Sequence, residues 1–194
     1  MVELRRVLQG LGWKRGWTMQ KQATVEEALE RKYPEGVVLV TAVWNGRPNA
    51  MAVGWVMIAS DEPWMFALGI DGGACTLAMI RRSREFVVAF PSENQAQETL
   101  YMGTHHGHKM DKFKACGLKT SKASRVKAPL IAGAVANFEC KLVRITKPGN
   151  CPIVFGRVIA AHVHSSPAVK RLYTVGKGYR MAGVRPISAA AKQG

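Results

Sequence analysis

Residues able to hold an anion or seat a flat ligand occur at two places in this sequence. Gly72-Gly73 precedes a helix start that has Thr76 in its first turn. Uncommitted backbone N–H groups at a helix N-terminus, with a hydroxyl beside them, suit an anion the size of one phosphate, while the same glycines also make an ordinary turn. In Asn49–Trp55, the small residues Ala50, Ala52 and Gly54 alternate with Met51, Val53 and Trp55. A strand with so little bulk on one side accepts either a close-packed neighbour or something flat against its backbone. His105, His106 and His108 invite a metal reading, but no carboxylate or Cys stands at convincing ligand spacing, so no metal site is predicted. Cys75, Cys116, Cys140 and Cys151 form no C-x-x-C pair and no disulfide framework. No acid–base dyad or nucleophile emerges, and no catalytic residue is assigned.

The elements that position these residues read mostly as strands. Val37–Trp44 is β-branched and apolar and ends at Asn45-Gly46, a dipeptide that supplies the positive φ angles of a tight hairpin. Pro48 lacks a ladder donor, so a second strand is predicted from Asn49 or Ala50 to about Ile58. Asp61-Glu62-Pro63 turns the chain into a third strand, Trp64–Ile70. Helices are predicted over Thr24–Lys32, where Thr24 and Glu27 have capping-box spacing, over Ala74–Arg84, and over Glu93–Met102. A short helix ends near Cys116-Gly117. Phe86–Phe90, Val135–Ile145 and Ile153–Val163 are further strands, and the basic segment Leu118–Gly133 is expected to run over the surface. Helical spacing of Leu4, Val7, Leu8 and Leu11 marks an N-terminal extension over residues 1–22, followed by a domain over 23–180 and a basic tail over 181–194.

Composition narrows the class. A chain of 194 residues fits one domain with an appended extension. The formal charge of +15 suits nucleic acid, anionic surfaces or phosphorylated small ligands, but the basic residues are scattered without aromatic interleaving, so nucleic acid is the less favoured partner. No apolar run is long enough to predict a membrane span, and sparse cysteine makes a reducing, cytoplasmic location the default expectation. No G-x-G-x-x-G follows a strand, which argues against a dinucleotide-binding domain.

The order hairpin strand, Gly46-x-Pro48-Asn49-Ala50-Met51-x-x-x-Trp55, acidic-Pro turn and apolar strand resembles the flavin reductase-like FMN-binding split-barrel family, which includes flavoredoxins and NAD(P)H:flavin oxidoreductases. The similarity runs from about Tyr33 to about Tyr179, and includes Asp111-Lys112-Phe113 and the closing Leu172-Tyr173 and Gly176–Tyr179 segments. His106 stands where the family usually has Ser, Cys151 where it often has His, and Ala59, followed by Ser60, where it usually has Ser. The resemblance implies a mainly β fold with peripheral helices, an antiparallel split β-barrel of about six strands. It implies FMN as cofactor, contacted by Asn49, Ala50, Met51, Trp55, Ala59, Ser60, Thr76 and Lys112, with Thr76 and Lys112 near the phosphate. It further implies a homodimer that takes hydride from NAD(P)H as a transient co-substrate and passes electrons to free flavin, a ferric complex or a redox protein. The alternative is a flavoredoxin-type carrier without nicotinamide turnover.

Overall fold

The computed structural model describes residues 20–108 and 110–184, so most of the expected extension and tail lie outside the described residues. Residues 1–31 and 32–194 form two compact units. In the first, the Thr24 hydroxyl accepts from Glu27 N (3.2 Å) and the Glu27 carboxylate accepts from Thr24 N (3.1 Å), a capping box that starts helix α1, Val25–Leu29. The helix ends three residues short of the expected Lys32 and buries none of its residues.

The second unit begins with β1 (Glu35–Gly36) and β2 (Val38–Trp44), which turns through Asn45 (φ 49°) and Gly46 (φ 73°) into β3 (Arg47–Val53). Pro48 sits inside β3, opposite Val43, rather than before the strand. This is tolerated because β3 is an edge strand and has β2 as its one ladder neighbour. The chain then breaks at Gly54-Trp55, so the single strand expected to reach Ile58 is two strands, the second being β4 (Val56–Asp61). With β5 (Trp64–Gly69), β6 (Glu85–Phe90), β9 (Ala136–Thr146) and β10 (Ile153–Val163), the large sheet has the order β3-β2-β6-β9-β10-β5-β4. β3 and β4 follow each other in the chain yet occupy opposite edges of this seven-stranded sheet. The sheet curls until its edges approach, the bend at Gly54-Trp55 joins them, and no ladder closes the seam, which makes the barrel split.

The barrel interior is apolar. Val38, Val40, Leu68, Leu77, Ile80 and Phe86 are fully buried in one cluster, and Phe66, Phe90 and Phe138 meet with ring centroids 5.1–6.0 Å apart. A Cβ at Gly156 would overlap the Phe86 ring, which is why β10 carries glycine there. Helix α2 (Cys75–Ser83) contributes Leu77 and Ile80 to this core and ends on Arg84 in the left-handed region. A short 3₁₀ turn (Glu93–Gln95) leads into α3 (Ala96–Thr104), so the predicted helix over this region is divided in two. α4 (Lys112–Cys116) is capped by the Asp111 carboxylate and closed by Gly117 at φ 73°.

The segment after α4 does not wander. β7 (Thr120–Ser121) pairs with β8 (Leu130–Ile131), and Ala123, Val126, Ala128 and Leu130 pack with Val87. The fully buried Glu139 carboxylate pins this strap to β9. It accepts from Ser124 N (2.8 Å), Ser124 Oγ (2.7 Å), Arg125 N (2.6 Å), Val126 N (2.9 Å) and His162 Nε2 (2.6 Å). Burial alone pushes that carboxyl up, but the Ser124 and His162 side chains and the Ser124 and Arg125 amides outweigh it and hold it at about 2. A second, smaller sheet has the order β1-β11-β12, with β11 at Leu172–Gly176 and β12 at Arg180–Gly183. Ordered pairing therefore extends past residue 180, into the segment read from sequence as tail.

Candidate functional site

β3 is flanked on both faces by helices. Asn49, Met51 and Val53 share one face, and there Asn49 Nδ2 donates to Thr76 Oγ1 of α2 at 2.9 Å, with both residues buried. Ala50 and Ala52 share the other face and meet α3: Ala50 is fully buried with Met102, and a Cβ at Gly103 would stand 3.2 Å from that of Ala52. The small residues at 50 and 52 are thus used to bring a helix close. What stays open is the strand's edge, whose backbone N–H and C=O groups have no ladder partner on the side away from β2.

That edge faces a cavity of about 840 Å3 lined by five successive residues, Met51 to Trp55. Gly69, Asp71 and Cys151 close it on one side, Thr99 and Gly103 of α3 on another, and the β11–β12 hairpin opposite. Trp55 lies on the Gly69 backbone, where a Cβ would come within 3.0 Å of its ring. A side chain at 69 would make Trp55 give by a few tenths of an ångström.

Near Asn49 lies a second group of residues. The N-cap of α2 is Ala74, which offers no side-chain acceptor, so no cap side chain occupies the first backbone N–H groups of the helix. The Lys112 side chain is buried, and Nζ donates to Met102 O (2.8 Å) and His105 O (2.9 Å) at the end of α3, leaving one of its three donors without a partner among the described residues. Burial lowers its pKa to about 8, partly offset by Cys75 and Cys116. Burial likewise raises the Cys75 thiol, against the opposing pull of Lys112 and Arg47. The loop after α3 covers this region: His108 Nε2 lies 3.4 Å from Gly73 O, and a Cβ at Gly107 would overlap the Asn49 side chain. His105 stacks on Tyr101 at 3.7 Å.

Of the eight residues that the resemblance implied, Met51 and Trp55 line the cavity, and Asn49 and Thr76 are joined by a hydrogen bond. Lys112 lies close enough to Cys75, the neighbour of Thr76, to interact electrostatically. Ala50 faces α3, and Ala59 and Ser60 sit at a bulge in β4, away from the cavity lining. Sequence reasoning missed Tyr33, Glu35, Thr174 and Tyr179, all cavity residues from the small sheet and its approaches. The closing Gly176–Tyr179 segment, quoted for the resemblance, was the available signal for the last of them.

A seam-opened antiparallel barrel with a cavity along one edge strand and an uncapped helix start nearby defines a split-barrel protein of the flavin-binding class. The chain belongs to the family described as flavin reductase like domain, which matches residues 30–183, and it is thus a flavoprotein of oxidoreductase type. It is 31% identical over 152 residues to a flavin reductase of Pseudomonas putida, covering 78% of this chain and 86% of that protein. It is 30% identical over 134 residues to an uncharacterized protein of Pyrococcus abyssi, covering 69% and 77%. In fold it is similar to a flavoredoxin from Methanosarcina acetivorans, with TM-score 0.77, 23% identity and 90% and 96% of the two chains covered. It is also similar to an NADH:FAD oxidoreductase of Streptomyces globisporus, with TM-score 0.73, 22% identity and 87% and 99% covered.

Proposed function

We propose that this protein is an NAD(P)H-dependent flavin or ferric reductase that holds FMN along β3. The observation that carries this reading is the unpaired β3 edge facing a cavity whose volume, about 840 Å3, lies in the upper part of the range for cofactor sites. The polar rim of a flavin ring needs donors and acceptors in one plane, and the strand edge offers them at residues 51–53, before the Gly54 and Trp55 carbonyls accept from Val56 N and Gly69 N. Thr76, the uncapped α2 N-terminus and the remaining Lys112 donor suit the single phosphate of FMN. When bound, FMN supplies the redox chemistry, taking a hydride from the dihydronicotinamide and a proton from solvent, then delivering both electrons to free flavin or ferric complexes. The chain itself contributes position, charge and exclusion of water. Trp55, Met57, Ile58 and Trp64 are each more than half exposed on the β4–β5 hairpin, an apolar patch that supports a homodimer through this edge.

The test is anaerobic mixing of the FMN-loaded protein with NADH and, separately, NADPH. Rapid bleaching at the flavin absorbance by either, with turnover on added FMN or ferric citrate, is the expected result. If dithionite bleaches the flavin and neither nucleotide does, the flavoredoxin-type carrier takes its place. The formal charge of +15, which favours acidic protein partners, supports that second reading.

A further inference from the structure

One side of the cavity is built by the small sheet, and its chemistry differs from that of the β3 edge. Glu35 of β1 pairs with Thr174 of β11, and both line the cavity. The Glu35 carboxylate is held in two directions. Its Oε2 receives Lys32 Nζ at 2.9 Å, and its Oε1 lies 3.6 Å from where a Cβ at Gly54 would stand. That separation is ordinary van der Waals contact, so the carboxylate rests beside the end of β3. Across the hairpin, Tyr179 is 67% exposed and is held at φ 57°. Glycine meets that backbone conformation without steric cost and tyrosine does not, so a strained turn presents an aromatic ring at the cavity wall. Thr99, fully buried on α3, lines the same cavity, and its hydroxyl has no hydrogen-bond partner among the described residues.

An aromatic ring free to stack, a carboxylate oxygen left to accept, and hydroxyls nearby suit a nucleoside with an unsubstituted ribose. Carboxylates in dinucleotide sites accept from the ribose 2′-hydroxyl, and a 2′-phosphate is accommodated where a cation is available instead. Two lysines line this wall: Lys32 already pairs with Glu35, and Lys177 is itself engaged in an interaction, so a 2′-phosphate would bring a second anion against the carboxylate with neither lysine spare to meet it. We propose that this side of the cavity binds the adenosine end of the dinucleotide donor. Tyr179 stacks on the base and Glu35 accepts from the 2′-hydroxyl, so the donor is NADH and NADPH is rejected. The inference rests on the reductase reading for its biological meaning, but the site can be tested without turnover.

The probes are 5′-AMP and adenosine 2′,5′-bisphosphate, titrated calorimetrically into the FMN-loaded protein. AMP is expected to bind at least about tenfold more tightly, the scale of a hydrogen bond to a charged acceptor. Glu35→Gln should bring the two affinities within about twofold of each other, because the amide neither repels the phosphate nor accepts as strongly. Tyr179→Gly should weaken both about fivefold, as expected for a lost stacking partner, while melting no lower than the parent chain. Bisphosphate binding as tightly as AMP, or AMP affinity unchanged in Tyr179→Gly, would overturn the proposal. Anaerobic bleaching separates the two readings. Faster bleaching by NADPH than by NADH refutes the Glu35 assignment and leaves the reductase reading standing. No bleaching by either, with the expected AMP preference intact, refutes the reductase reading and leaves the nucleoside site standing.

Discussion

Replacing Glu139 by Gln should cost the protein about 3 kcal/mol at neutral pH, and the figure follows from one carboxylate. In the folded chain Glu139 is fully buried and holds its proton only below about 2, against an ordinary value of 4.5. A difference of that size is about 3 kcal/mol of preference for the ionised form in the folded state. The sign follows from which state binds the proton. The folded pKa is depressed, so the contribution is complete above the unfolded value of 4.5 and is lost as pH falls towards 2. Glutamine keeps the shape but has one acceptor oxygen for donors that now include Ser124 N, Arg125 N and Val126 N, so buried amides are left unsatisfied. The assay is urea denaturation from pH 7 to pH 3 for the parent chain and Glu139→Gln. The two should differ by about 3 kcal/mol at pH 7, and the gap should narrow through the acid limb. A gap below about 0.5 kcal/mol at pH 7, the size of an ordinary surface substitution, would refute the argument. So would a gap that stays constant down to pH 3.

Thr76→Ala and Lys112→Ala should each weaken FMN binding about tenfold, read by quenching of flavin fluorescence, since each would remove a proposed donor to the phosphate. FMN affinity should fall as pH rises through about 8, where buried Lys112 loses its charge, and Lys112→Met should flatten that dependence. Over the same span, up to the ordinary 10.5, the unfolded chain binds more protons than the folded one, so the Lys112 contribution to stability should rise with pH in urea denaturation. Gly156→Ala should destabilise by about 1–3 kcal/mol in thermal or urea unfolding, because its methyl would overlap the Phe86 ring. Sedimentation at micromolar concentration should give a dimer, and Met57→Lys on the exposed edge should shift it towards monomer.

Local rules carried the sequence reading wherever the stabilising partner lies within a few residues. Asn45-Gly46 forms the hairpin it encodes, and Thr24 and Glu27 form their box, because both motifs are satisfied inside one turn of chain. Pro48 misled the strand start: the rule against proline in a ladder lapses at an edge, and which strand is an edge depends on a sheet order assembled over more than a hundred residues. The Leu118–Gly133 segment looked like surface because it is basic and polar. What pins it are backbone amides meeting Glu139, thirteen or more residues away, a partner no local pattern reveals.

The same distinction divides the candidate site. Asn49, Thr76 and Lys112 could be named because each stands in a motif whose neighbours give it meaning, and the fold joins the first two directly. Glu35 could not. In the chain it reads as a charge between a proline and a glycine, and it enters the cavity only because β1 pairs with β11, which puts it opposite Thr174. Gly54 could not be interpreted for a related reason. It read as part of a small-residue stripe, whereas in the structure it marks the bend between the two edges of the split barrel, beside the Glu35 carboxylate. The motif residues cluster around α2 and its approaches, while the long-range contacts build the small-sheet wall. In a barrel that is split at the bend, the seam brings the two together, so if the proposed donor site is right, changes on the small sheet should alter donor choice and leave FMN affinity unchanged.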